Sequence, residues 1–167
     1  MSTILDAEST TSPSLVRRAG LFLVCLMISF APGIVGSRFS PGPWYDRIEK
    51  SSLTPPGWVF PIAWSALYLL MGISLFLFVL GTTRRVRTVG LAWSGVQLML
   101  NAAWSWIFFG LERPDLALLE IGVLWLAILG TLIVFWRQRP AAGALLVPYL
   151  AWVSFASYLN FEICRLN

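Results

Sequence analysis

The chain has 167 residues, of which 57% are hydrophobic and only 12% charged, about half the charge of an ordinary soluble domain. At ~20 apolar residues per bilayer crossing, this length holds five or six membrane spans and leaves no room for a separate soluble catalytic domain. There is no histidine, which removes the commonest metal ligand, the usual haem ligand and the usual general base, so no metal ion and no other cofactor is expected.

Residues 1–14 are rich in Ser and Thr and have little apolar surface to bury, so they read as a disordered polar tail without a function. Residues 15–167 form the membrane domain, with spans predicted at about 16–36, 58–80, 89–111, 116–136 and 141–161. Arg17 and Arg18 flank the first apolar run. The rival reading of that run as a cleaved export signal is disfavoured because Pro32 and Gly33 follow Ala31 where a small-x-small cleavage site would be needed. The segment from Gly36 to Gly57 is the one long loop, polar and turn-rich. The other connections are short, so consecutive helices should be neighbours. The fold class is therefore all-α, an integral membrane bundle of five transmembrane helices, and it shows no internal repeat of the kind secondary transporters carry.

The net charge of +4 does not point to nucleic acid, because the arginines fall between apolar runs and not along one face interleaved with aromatics. They suit the ends of membrane spans. Arg17, Arg18, Arg84, Arg85, Arg87, Arg137 and Arg139 lie on one side of the bilayer, against Arg38, Arg47, Lys50, Arg113 and Arg165 on the other. That bias places the N-terminus in the cytoplasm and the C-terminus outside, in a bacterial cell membrane. Cys25 and Cys164 are too far apart in sequence for a metal or redox motif.

Polar side chains inside hydrocarbon are costly, so each marks either a contact between helices or a site. Gln97, Asn101 and Trp104 recur at i, i+4 and i+7, which puts two amides and an indole on one helical face. Both readings stay open there. In the second span Pro61, Trp64, Tyr68 and Met71 lie close to one face, and in the fifth Trp152, Ala156 and Asn160 occupy successive turns. Among the nine tryptophans, Trp44, Trp58, Trp93 and Trp136 sit at span ends and read as an interfacial belt. Trp64, Trp104 and Trp152 lie deeper. Each combines a wide π-face with one N–H donor, suited to a flat aromatic ligand, although simple filling of volume between helices also accounts for them. Glu120, one turn into the fourth span, reads best as snorkelling to the interface, with a proton relay or ligand contact as alternatives. Glu162 and Arg165 read as a surface pair.

Three blocks carry a family resemblance. The string WYDRIEKSSLTPPGWVFPIAWSALYLLMG (44–72), the segment GVQLMLNAAWSWIFFG (95–110) and the segment VPYLAWVSFASYLNFEICRLN (147–167), together with GSRF (36–39), resemble the TspO family of tryptophan-rich sensory and translocator proteins. The resemblance implies a five-helix membrane protein, often a homodimer, that binds porphyrins or other tetrapyrroles and flat aromatic ligands between its helices beneath the first loop. It places the ligand pocket on Trp64, Asn101, Trp104, Trp152, Ala156 and Leu159, with Tyr68 and Gln97 added from the faces just described, and a loop lid on Pro55, Pro56 and Trp58. For the light-dependent porphyrin breakdown credited to some bacterial members, it points to Trp64 and Trp152. This chain departs from many relatives in having Lys50-Ser51-Ser52-Leu53, where they have Lys-Pro and aromatics, which makes a less rigid and less aromatic lid. Sterol is attributed mainly to animal members as a ligand. The weak sterol motif is absent, because position 161 is Phe161 and Tyr158 lies one residue too far from Arg165.

These features favour a ligand-binding sensor or carrier, with a photo-oxidative porphyrin-degrading enzyme as the alternative. A channel or proton-coupled transporter would need several ionisable residues inside the bilayer, and essentially Glu120 alone is there. A scaffold is the fourth reading; Gly95, Ala102 and Ala103 are small enough to pack a dimer but form no G-x-x-x-G run.

Overall fold

The computed structural model describes residues 15–39 and 41–167, so the polar tail lies outside the described residues. Among those described, the chain is all-helical and contains no strand. Helix α1 spans Leu15–Gly36, α2 Pro43–Arg47, α3 Val59–Leu80, α4 Arg84–Ser105, α5 Pro114–Gln138, α6 Pro140–Ala144 and α7 Val147–Leu166, and one π-helical turn, Trp106–Gly110, extends α4. Four helical stretches are long and apolar enough to cross a membrane: Leu15–Gly36, Val59–Leu80, Pro114–Gln138 and Pro140–Leu166, the last comprising α6 and α7. Helix α4 is as long as α1 and α3, 22 residues, but it opens on Arg84, Arg85 and Arg87 and buries Gln97 and Asn101, which lowers its hydropathy.

Local chemistry accounts for the ends of α5 and of the π turn. Pro114 opens α5 at a position where a missing N–H costs nothing, with Asp115 in its first turn and Arg137 in its last, each complementing the helix dipole. The π turn closes on Leu111, whose N–H reaches the Trp106 carbonyl at 2.9 Å, and Glu112 then takes φ 54°, the left-handed geometry that commonly terminates a helix.

The expected boundaries shift in three places. The first turn of the third long helix contains the arginines assigned above to a loop. The long loop carries the short helix α2. The predicted span 141–161 is divided at Leu145 and Leu146, between α6 and α7.

The order of packing also differs from the expectation of consecutive neighbours. α3 and α4 follow one another in sequence but barely meet; α1 packs against both, α4 packs on α5, and α5 holds α6 and α7. Two glycines of α1 explain this. A Cβ on Gly33 would lie 2.6 Å from the Tyr68 ring of α3, and one on Gly36 would lie 2.9 Å from Ser105 Oγ of α4. Without side chains at these positions, α1 wedges between the two helices and holds them apart.

The end of the bundle away from the long loop is filled tightly. Phe78 and Phe135 stack with centroids 3.9 Å apart and planes 2° from parallel, against Gly90, where a Cβ would fall 2.2 Å from the Phe78 ring. Ser74 Oγ donates to the Ala142 carbonyl at 2.7 Å, tying α3 to α6. Large apolar side chains such as Leu23, Met27, Leu119, Val123 and Leu126 face outward, as a bilayer permits and water does not. Arg139 occupies the space beside Gly81, so the basic turns after α3 and α5 share one end of the bundle.

Candidate functional site

At the loop end, the gap held open between α3 and α4 forms a cavity of about 490 Å³, within the range of small-molecule sites. Trp64 and Tyr68 of α3, Asn101 and Trp104 of α4, Ile121 and Leu124 of α5, and Trp152, Ala156 and Leu159 of α7 line it; Tyr45, Lys50, Thr54 and Pro55 border it from the loop.

Aromatic contacts fix the walls. Trp64 stacks on Tyr68, with centroids 5.5 Å apart and planes at 29°, and meets Tyr149 edge-on at 6.2 Å. Trp104 stacks on Phe108 at 4.8 Å, and Trp152 meets Phe60 edge-on at 6.0 Å. The loop is held over this opening by Tyr45, whose ring abuts Phe108 and Phe109. It is also held by a reciprocal pair in which Glu49 N–H donates to Asn167 Oδ1 at 3.0 Å and Asn167 Nδ2 donates to the Glu49 carbonyl at 3.1 Å. Burial, with the Asp46 carboxylate adding to it, pushes the Tyr45 phenol above its ordinary range, so the ring stays neutral.

Polar groups in the walls are largely paired with one another. Tyr68 OH donates to Asn101 Oδ1 at 2.9 Å, and Asn101 Nδ2 donates to Tyr149 OH at 3.1 Å, a bridge across α3, α4 and α7. Trp104 Nε1 donates to Asn160 Oδ1 at 3.2 Å, and Asn160 Nδ2 donates to the Pro114 carbonyl at 2.8 Å. Trp152 differs. Its Nε1–H is buried and has no protein partner, although the residue lines the cavity. A buried donor left open in a cavity wall is a place for a ligand acceptor.

Of the residues singled out in the sequence, Trp64, Tyr68, Asn101, Trp104, Trp152, Ala156, Leu159 and Pro55 therefore come together around one space. Gln97 does not. It is buried with Ser29, Ser94 and Thr131 beside a separate gap of about 10 Å³, one turn beyond the Tyr68–Asn101–Tyr149 bridge that closes the cavity on that side. Pro56 and Trp58 stay off the cavity, and Trp58 is 67% exposed. Trp44, expected in the interfacial belt, instead meets Phe108 edge-on at 5.8 Å. Glu120 does not snorkel, because both carboxylate oxygens are buried without a protein partner. Tyr149 and Lys50 were missed as site residues. A lone tyrosine near a span end reads as an interface anchor, and a loop lysine as a solvated charge; only the fold turns them toward the cavity region.

The TspO/MBR family model matches residues 21–166. The chain belongs to the TspO/MBR family. Among its relatives, Protein CrtK of Rhodobacter capsulatus is 42% identical over 148 residues, 88% of this chain and 92% of that protein. The Tryptophan-rich protein TspO of Chlorobaculum tepidum is 44% identical over 149 residues, 86% of this chain and 94% of its own. The human Translocator protein is 38% identical over 138 residues, covering 80% and 82%. Family and apolar helices together make this a multi-pass membrane protein, and the bacterial TspO/MBR relatives fit a cell membrane.

Proposed function

We propose that this TspO/MBR protein binds porphyrin-like tetrapyrroles and other flat aromatic ligands in the cavity beneath the long loop, and acts as a membrane sensor or carrier for them. Family membership supports the sensor or translocator role. The observation that carries the ligand class is the wall itself: three indoles, Trp64, Trp104 and Trp152, border a space of about 490 Å³, and one of them offers an unpartnered N–H. Extended π-faces recognise a flat aromatic body through stacking, and the open donor orients it. Photo-oxidative breakdown of porphyrin rests on the family resemblance alone, and neither the cavity geometry nor the names of the relatives adds to it.

The test is a titration of the purified protein with protoporphyrin, following tryptophan fluorescence in darkness and then the Soret band under light. Saturable quenching is expected, with a Soret band that persists in light. Trp152→Phe keeps a ring but loses the donor, and should weaken binding by about tenfold. Trp136→Phe, at the far end of the bundle, should change little. Quenching lost in Trp136→Phe but kept in Trp152→Phe would place the ligand elsewhere.

In the membrane, α4 with its π turn joins the four apolar stretches as a fifth span, with the N-terminus inside, the C-terminus outside and two copies forming a homodimer. The clustering of basic turns at one end of the bundle supports that orientation. A cytoplasm-active reporter fused at Gly81 should work, and one fused at the C-terminus should not; the reverse pattern would overturn the assignment.

A further inference from the structure

Lys50 is the one charged residue among the described residues that line the cavity. Its ammonium lies 4.6 Å from the centroid of the Tyr45 ring and donates to the Ile48 carbonyl at 3.0 Å, which uses one of its three donors. Among the described residues the ion pairs are Arg113 with Asp115 and Arg165 with Glu162, so no carboxylate forms an ion pair with Lys50. Below it the aromatic wall continues through Tyr45, Phe108 and Trp104. The open donor elsewhere in the lining is the Trp152 indole. The two amide oxygens of the wall each already accept a bond, Asn101 Oδ1 from Tyr68 and Asn160 Oδ1 from Trp104. The cavity thus has one unpartnered N–H in its wall and a single formal charge, a positive one, at its rim.

From this placement we infer that Lys50 selects for ligands that carry a carboxylate on one edge of the flat aromatic body, holding that carboxylate at the loop while the rings lie among the tryptophans. The inference rests on the cavity reading above and specifies its chemistry. An ammonium at the mouth of an apolar site is only partly screened, and a charge-assisted hydrogen bond there is roughly twice as strong as a neutral one. Held over Tyr45, the lysine also loses less freedom on binding than a solvated one.

Protoporphyrin and its dimethyl ester separate the charge from the ring system. Both are titrated in a neutral detergent against the wild type, Lys50→Gln and Lys50→Arg. The wild type should bind the diacid about tenfold more tightly than the diester; Lys50→Gln should bring the ratio close to one while leaving diester affinity unchanged, and Lys50→Arg should keep the preference. Added salt should weaken diacid binding and spare the diester. A ratio unchanged in Lys50→Gln, or an equal loss of both ligands, would overturn the role of Lys50 while the cavity reading stands. If neither porphyrin binds the wild type, the cavity reading fails and this assignment with it.

Discussion

Asn101→Leu is expected to destabilise the ligand-free protein and to weaken ligand binding together. In sequence the two roles looked like alternatives, because an amide inside a bilayer is either a link between helices or a ligand contact. The structure gives the same side chain both positions. Asn101 accepts from Tyr68 and donates to Tyr149, and it borders the cavity. Leucine would leave two phenol hydroxyls without their partner, and Tyr149 is completely buried. Each orphaned buried hydroxyl costs about 1–3 kcal/mol, although hydrogen bonds between membrane helices average nearer ~0.6 kcal/mol. A loss of about 2 kcal/mol lies between these limits, and for a chain of this size it corresponds to several degrees in melting temperature. The check is a thermal melt in detergent without ligand, set beside the triple variant Asn101→Leu, Tyr68→Phe, Tyr149→Phe. Removing donors and acceptors together should recover most of the stability, because no unpaired group then remains. An Asn101→Leu protein that melts like wild type would show that the bridge contributes nothing to the fold.

Gly143→Ala should be among the most disruptive single methyl additions in the bundle. The Cβ would lie 2.7 Å from both Cα and Cβ of Trp136 and 2.8 Å from its backbone nitrogen, so no flexible side-chain end can move aside. The turn between α5 and α6 would have to open, displacing Ala142, whose carbonyl receives the Ser74 bond. Overpacking of this kind costs about 1–3 kcal/mol and sometimes more. Gly95 and Gly122 provide the controls, since a Cβ at either meets nothing within 4 Å, and alanine in a helix is favoured over glycine by about 0.5–1 kcal/mol. Melting temperatures should therefore fall sharply for Gly143→Ala and stay level or rise for the controls. Equal melting of all three would remove the close approach at Trp136 as a constraint on the fold.

Much of the architecture was legible without coordinates, because the bilayer makes it so. Hydrocarbon offers no partner to a free N–H or C=O, so every apolar run of sufficient length must become a helix, and runs interrupted by Gly, Pro and Arg declare their own ends. The depth of Trp64, Trp104 and Trp152, and the shared faces of Trp104 with Asn101 and of Trp152 with Asn160, followed from helical spacing alone. Spacing also suggested that Gln97 shares the site of Asn101, and here it misled. Residues four apart do share a face, but nothing local says where along that face a cavity stops. It stops at the Tyr68–Asn101–Tyr149 bridge, which draws on three helices far apart in the chain.

The sequence by itself determined an all-helical membrane chain, its principal helices, its family and the residue types of an aromatic pocket, all of which rest on composition, periodicity and short blocks of residues. Only the tertiary structure decided that α1 lies between α3 and α4, that the predicted fifth helix divides at Leu145 and Leu146, that Lys50 borders the cavity, and that Glu120 is buried unpaired. Each depends on how distant parts of the chain meet, which no local stretch encodes. These are relations between surfaces: Gly33 and Gly36 admit the Tyr68 and Ser105 side chains and Gly143 the Trp136 backbone, and the missing side chain of a glycine acquires meaning only when a neighbour fills the space.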